Sequence, residues 1–418
     1  MNIVMVNDKA FSGGAGRAGY RLFQNMKKNF DLNVKMLVRK KDINDYDITS
    51  ILENNIKKYE HKVKFLLSKN LQRFHLKPKI PKYSIGKFGL RIDKEDIVQN
   101  SDLIHLHWVN NNFMSLNSLK KLQGLKKPIV WTLHDMWPFT GGCHYSCNCE
   151  KYENKCGLCK FVKKMKEKDI SRINIIKKKK IFDELNLTIV TCSNWLRKCA
   201  KSSFVLKNKN IMTIHNTINS NIYKPFNKKS AKNILNLPLN KKIISFGAMT
   251  PFTEKRKGFD YLLKVINLLE KKYNRDDIEF LIFGDKHKND IIKTKFKVNY
   301  TGYLRDDYSL SLVYNASDLF LFPSLEDNLP NMVLESLACG VPVIGFDIGG
   351  IPDMVEHKIN GYLAKYKSIK DLFNGIEWYF SIQNKKKIKL NARKIVLKKF
   401  NQQLIGNKYY NLYQDLIT

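Results

Sequence analysis

The feature that most constrains the fold is an alternation. Short apolar runs rich in β-branched residues recur along the chain, with helical spacing patterns between them. The runs Asn2–Val6, Asn33–Val38, Leu103–Trp108, Pro128–Leu133, Leu187–Cys192 and Ile211–Ile214 form one series. A second comprises Lys242–Phe246, Glu279–Phe283, Val298–Thr301, Asp318–Phe322 and Val341–Phe346. Strands alternating with helices imply an α/β protein with parallel sheets covered on both faces. Between the series, Asn216–Leu239 is polar, carries Pro225 and Pro238, and has no clear strand. A chain of 418 residues also exceeds what one core usually supports. The pattern therefore predicts two Rossmann-like doubly wound domains, over 1–216 and 217–395. A last helix, roughly Asn384 to Ile417, has its 396–418 part read as crossing back to the first domain.

The formal charge is +36, from 74 basic and 38 acidic residues. Such a surplus needs anionic company: nucleic acid, anionic lipid or phosphorylated substrates. A lysine-rich background explains part of it equally well. A non-enzymatic, basic nucleic-acid-binding protein is the alternative the charge raises, although no recognised nucleic-acid motif accompanies it. Met1 runs almost directly into the apolar Ile3–Val6, without a secretory pattern, and no stretch of 18 apolar residues exists. Five of the eight cysteines fall between 143 and 159, which suggests a metal site more than a disulfide scaffold. The expected compartment is the cytoplasm.

Ser12-Gly13-Gly14-Ala15-Gly16 follows the first strand and opens a helix. Glycine lets a ligand approach the backbone, and the N–H groups of a helix start attract anions, so Gly13 and Gly14 are candidate binding residues. Gly14-x-Gly16-x-x-Gly19 also satisfies the dinucleotide fingerprint. The second strand, however, ends Val38-Arg39-Lys40, with no acid for ribose hydroxyls. Arg39 suits a 2′-phosphate, which keeps an NADP-dependent oxidoreductase as one alternative. A tight turn serving only packing is another.

The second series carries a sharper signal. Phe246-Gly247-Ala248-Met249 ends a strand and precedes Arg256-Lys257-Gly258-Phe259; Thr301-Gly302-Tyr303 follows another strand. The long block Pro323–Ile344 contains Glu326, Asp327, Asn328, Leu329, Asn331 and Glu335. Open α/β sheets bind ligands at the carboxyl ends of strands. The backbone N–H groups of Asn328, Leu329 and Asn331 are placed to meet a ligand. Glu335, about a turn into a helix, can accept from ribose hydroxyls. Arg256 and Lys257 supply positive charge for a diphosphate.

With Gly349-Gly350-Ile351-Pro352, these pieces resemble glycosyltransferase family 4. The resemblance runs over nearly the whole chain. It implies the GT-B fold, two Rossmann-like domains facing a central cleft, with an acceptor domain first and a nucleotide-sugar domain second. The family pattern has two glutamates with seven residues between them. Here the earlier position is Asp327, flanked by Glu326, so Asp327 is expected to contact the donor sugar. The family's Gly-Arg pair reads Gly247-Ala248, leaving Arg256 to take over that charge. His134, ending the run Val130–Leu133, corresponds to a family histidine that faces the sugar. His105 and His107 are read as ordinary core residues.

A Cys-rich insertion, 141–160, follows. Cys156-x-x-Cys159 has chelate spacing, and Cys143, Cys149, Cys156 and Cys159 can complete a tetrahedral structural zinc site, with Cys147 or His144 able to substitute. Free thiols are the alternative. Lys160–Lys180 interleaves lysine with Phe161, Val162, Met165, Ile170, Ile173 and Ile176, as in a basic amphipathic helix on an anionic membrane; a solvated face explains it as well.

The resemblance implies transfer of a sugar, with retention, from a nucleoside diphosphate sugar to an acceptor hydroxyl. Related proteins build bacterial surface polysaccharide, including capsule and lipopolysaccharide, on lipid carriers. A lipid-linked saccharide is therefore the expected acceptor, and attachment to the inner face of the cell membrane is compatible with it. The catalytic candidates are His134, Arg256 and Lys257. No cofactor is required, because the cations stabilise the leaving diphosphate in place of a divalent metal. Asp45-Tyr46-Asp47 is read as a chance match to a metal motif.

Overall fold

The computed structural model describes residues 1–248, 254–285 and 291–417. Met249 therefore lies outside the described residues. The chain divides into two compact units, Met1–His215 with Ile405–Thr418, and Asn216–Leu404.

The first unit is built on a seven-stranded sheet. Its strands are β1 (Asn2–Lys9), β2 (Asn33–Lys40), β3 (Ile48–Ser50), β4 (Leu103–Leu106), β5 (Ile129–Leu133), β6 (Leu187–Thr191) and β7 (Ile211–Thr213). They pair in the order β3-β2-β1-β4-β5-β6-β7, all parallel. Strand β3 was not among the runs read from the sequence. It is three residues at an edge, too short for a pattern, and it exists through pairing of Met36–Val38 with Ile48–Ser50. Three helices of this unit matter below: α1 (Gly13–Asn29), α2 (Asn55–His75) and α3 (Ile170–Asp183). Helix α1 buries Ala18, Leu22, Phe23 and Met26 on one stripe, the 3–4 spacing of an amphipathic helix.

The second unit holds six parallel strands: β8 (Lys242–Gly247), β9 (Ile278–Phe283), β10 (Lys297–Gly302), β11 (Leu319–Phe322), β12 (Val343–Phe346) and β13 (Gly361–Ala364). Their order is β10-β9-β8-β11-β12-β13. Strands β8, β9, β11 and β12 are buried almost throughout and mostly apolar, as central parallel strands are, with Ser245 and Glu279 the buried polar exceptions among their described residues. Helices α4 (Phe259–Lys272), α5 (Asn331–Ala338) and α6 (Lys385–Lys399) cover it.

The sequence pattern gave one helix over the last segment; the structure has two. Phe400 is fully buried, and the Asn401 side chain accepts from the N–H of Leu404 at 2.8 Å, starting a new helix, α7 (Gln402–Ile417). Ile405, Tyr409, Leu412 and Tyr413 of α7 enter the core of the first unit beside Ile3, Met5, Leu22 and Phe23. A side chain at Gly406 would meet the Phe30 ring at 2.3 Å, so helix and ring pack only with glycine there. The 160–180 region is likewise not one helix: α3 starts at Ile170, capped by Asp169, and the preceding lysines lie in turns.

Candidate functional site

In the second unit the motif residues converge. Gly258 has φ +76°, and a Cβ there would sit 1.9 Å from the Pro323 carbonyl oxygen. Only glycine permits that approach. It lets the 256–258 turn lie on the loop after β11, where the N–H of Leu325 and the hydroxyl of Ser324 both donate to the Arg256 carbonyl, at 2.8 and 3.0 Å. Gly349, φ +54°, does the same against Asp327, whose carbonyl a Cβ would meet at 1.8 Å.

The result is a compact ionic set. Lys257 Nζ donates to Asp327 Oδ2 at 2.7 Å, and Arg256 Nη1 donates to the same oxygen at 3.1 Å. Glu254 accepts from Arg256 Nη2 at 2.7 Å. Burial alone would raise the Asp327 pKa, but the charges and hydrogen bonds of Lys257 and Arg256 outweigh it and hold the carboxyl at about 2. The carboxylate's other oxygen accepts from the N–H of Asn328 at 3.1 Å.

Two of the residues expected to contact the donor also have protein partners. The N–H of Asn328 is engaged, because the Asp327 side chain folds back onto its neighbour. Asp327 itself has both oxygens occupied by protein groups; it fixes the two cations. Glu335 sits on α5 as expected, buried, and accepts from the Tyr314 hydroxyl at 3.1 Å. Leu329 and Asn331 are tied to Asn216, whose amide donates to the Leu329 carbonyl at 3.4 Å and to the Asn331 side chain at 3.2 Å.

The first unit gathers histidines. His105 shares hydrogen bonds with Tyr413 at 2.7 Å and Thr132 at 2.8 Å, and Thr132 meets Tyr409 at 2.9 Å. Its ring lies 4.2 Å from that of His107, and His107 Nδ1 is 3.0 Å from His134 Nε2. His134 therefore has a specific partner that sequence reading passed over; His107 stands one residue beyond β4. Burial lowers all three pKa values, His105 to about 3 and His134 to about 4, so the stack is uncharged at neutral pH.

The glycine loop lies in the same unit. No atom lies within 4 Å of where a side chain at Gly13 or Gly14 would start, so this edge is open. Gly16 and Gly19 instead serve packing: a Cβ at Gly16 would press on the Phe11 backbone, and one at Gly19 on the Asn7 side chain. Asp42, two residues past β2 and missed by sequence reading, pins the loop by accepting from the N–H groups of Phe11 at 2.8 Å and Ser12 at 2.9 Å. Arg39, the basis of the NADP alternative, forms an ion pair with buried Asp8. Asp45 and Asp47 both pair with Lys27.

The cysteine insertion is anchored by polar groups. Asp135 accepts from Trp108 Nε1 and pairs with His144 Nδ1, each at 2.6 Å, while His144 Nε2 lies 2.8 Å from Ser84 Oγ. Lys178 is fully buried, donates to the Thr140 carbonyl at 2.9 Å, and is lowered by burial to about 7. Burial likewise raises the Cys143 and Cys156 thiols, Cys156 to about 12, with the neighbouring cysteines adding to the shift. Cys143, Cys149, Cys156 and Cys159 all lie in this insertion. Among the described residues, however, no three or more His, Cys, Asp or Glu side chains form a group that could hold a metal ion.

Two parallel-sheet units in one chain, with polar groups gathered at strand ends, define the GT-B architecture, the class expected from the sequence. Residues 240–381 match the family described as glycosyl transferases group 1, so the resemblance read from the sequence stands in the second unit. An uncharacterized glycosyltransferase of Haemophilus influenzae is 31% identical over 141 residues, 33% of this chain and 39% of that protein. The capsular polysaccharide biosynthesis glycosyltransferase CapM of Staphylococcus aureus is 26% identical over 162 residues, 38% of this chain and 40% of its own length. Among solved structures, Anabaena HepE in complex with UDP superposes with a TM-score of 0.65 at 15% identity, covering 100% of both chains. The chain thus matches well under half the length of these two curated relatives, whereas the likeness of fold to HepE runs over both chains end to end.

Proposed function

We propose that the protein is a retaining glycosyltransferase of family 4, a hexosyltransferase that moves a sugar from a nucleoside diphosphate sugar to an acceptor hydroxyl in bacterial surface polysaccharide synthesis. The observation that carries this reading is the Arg256–Lys257–Asp327 set at the carboxyl ends of β8 and β11. Breaking the bond from sugar to phosphate places new negative charge on the leaving diphosphate. Two cations held in place by a buried carboxylate stabilise that charge without reorganising at the moment of reaction. The UDP seen with HepE is the kind of anion such a set suits. Glu335 is the proposed contact for the nucleotide ribose, and the open edge at Gly13 and Gly14 for phosphate or sugar. His134 is proposed, on the family resemblance, as the residue of the first unit that faces the sugar; uncharged, it adds no cation there.

A lipid-linked saccharide is the proposed acceptor and the cytoplasm the proposed compartment. CapM, a capsule enzyme by name, supports the polysaccharide setting. Among the described residues no helix is long and apolar enough to cross a membrane. The test is a donor panel. Purified protein is incubated with UDP-, GDP- and dTDP-sugars and lipid-linked acceptors, and products are read by mass spectrometry with anomeric configuration by NMR. A product of retained configuration supports the reading. Failure to consume any sugar nucleotide, with NADPH oxidised instead, would replace it.

A further inference from the structure

Helix α2 is amphipathic the wrong way round. Its inward face is polar. Lys57 pairs with Glu95, Lys64 donates to the Gly89 carbonyl at 2.8 Å, and His61 and Ser68 are buried. Its outward face carries Ile56, Tyr59, Val63, Leu66, Leu67 and Phe74, all exposed, with Ile56 at 80%, Leu66 at 61% and Phe74 at 68%. At about 100° per residue these six fall on one stripe. Lys58, Lys62, Lys69 and Arg73 form a second row along its flank. The helix's one acid, Glu60, is taken by Lys64.

The patch continues beyond the helix. Leu76 pairs with Val162 in an antiparallel bridge, and Lys163 Nζ donates to the Arg73 carbonyl at 2.8 Å. This brings the turns carrying Lys163, Lys164, Met165, Lys166 and Lys168 to the end of α2, with Met165 exposed. The lysine-rich segment thus extends the α2 surface.

We propose that this face of α2 docks on an anionic lipid surface, the apolar stripe entering the acyl boundary and the basic row meeting headgroup phosphates. A line of large apolar side chains turned to water by a helix whose polar face is buried is hard to account for by packing. A flanking row of cations without free acids is the complement of anionic headgroups. A second copy of the chain would bring the same basic row against itself. The inference goes beyond the transfer reaction and stands or falls without it.

The experiment is co-sedimentation of the full chain, without donor, with phosphatidylcholine vesicles with and without phosphatidylglycerol. Wild type should bind vesicles containing phosphatidylglycerol and leave phosphatidylcholine largely alone. The triple variant Tyr59→Ser, Leu66→Ser, Phe74→Ser changes only exposed positions and should bind at least about tenfold more weakly, with unchanged circular dichroism. Lys58→Gln with Lys62→Gln and Lys69→Gln should lose the preference for phosphatidylglycerol. Equal binding by wild type and the triple variant would overturn the proposal. So would wild-type binding to neither vesicle, or sedimentation velocity showing a dimer that the triple variant breaks, which would reassign the face to a second copy.

Discussion

Around His134 the first unit gathers uncharged groups; around Asp327 the second gathers ions. Both sets stand at or beyond the ends of parallel strands, with His105, His107 and Asp327 buried and His134, Arg256 and Lys257 half-buried, yet they meet burial differently. The three histidines are held uncharged: His107 bonds His134, and His105 bonds Thr132 and Tyr413, while Thr132 also meets Tyr409. Asp327 keeps its charge because Lys257 and Arg256 neutralise it. Desolvation disfavours charge in both places; only a partner of opposite sign within hydrogen-bonding distance reverses that. A neutral stack suits orienting a substrate, whereas a fixed cation pair suits stabilising charge that appears in a transition state.

The largest expected consequence is in acid. The folded pKa values of the three histidines lie below the unfolded value near 6.5, His134 at about 4 and His105 at about 3. The unfolded chain therefore binds more protons in that window. The stabilisation is present above pH 6.5 and is lost as pH falls towards 4 and below, by several kcal/mol in total. Asp327 has the same sign but a lower window, from about 3.8 down to about 2. Of the five tryptophans, Trp108, Trp131, Trp137 and Trp195 lie in the first unit, so tryptophan emission mainly reports it. The denaturant midpoint read this way should drop between pH 6.5 and 4. A flat midpoint there would mean the histidines are not buried uncharged.

Next in size is Lys257→Ala. It should slow turnover by about 2–4 kcal/mol of barrier, the usual cost of one preorganised charge contact, with little change in KM. A pure KM effect would make Lys257 a ground-state contact only. Gly349→Ala should cost about 1–3 kcal/mol of stability, since a side chain in the left-handed region is strained and would here clash with Asp327. Thermal unfolding measures it, and an unchanged midpoint would contradict the tight loop contact. Smallest is chelation: brief EDTA treatment should leave turnover unaltered, because the diphosphate meets Arg256 and Lys257. Prompt loss of activity restored by Mg²⁺ would count against that.

Much of this was legible in the sequence because periodicity and glycine report backbone geometry directly. The strands flanking both sites, the glycine loop and the Pro323–Ile344 block were all readable. Side-chain pairing was not. Nothing local reveals that Asp327 would bind cations some 70 residues earlier, or that His107 would meet His134; those distances are set by sheet order. Strand β3 was invisible because pairing alone makes it a strand. Helix α2 was not read from the sequence, and nothing local says that its apolar stripe faces outward. The cysteines illustrate the same limit. Spacing brought the thiols to one loop, but as arranged they do not form a ligand set, and elemental analysis for about one zinc per chain is what tests the sequence reading.

On the proposed function, the Arg256–Lys257–Asp327 set receives the diphosphate of a sugar nucleotide. Calorimetric titration tests it most directly, with UDP and NADPH each added to wild type, Arg256→Ala and Lys257→Ala. UDP should bind wild type, each substitution should weaken that binding, and NADPH should give no binding heat. Saturable NADPH binding without UDP binding, or UDP affinity unchanged in both variants, would contradict it.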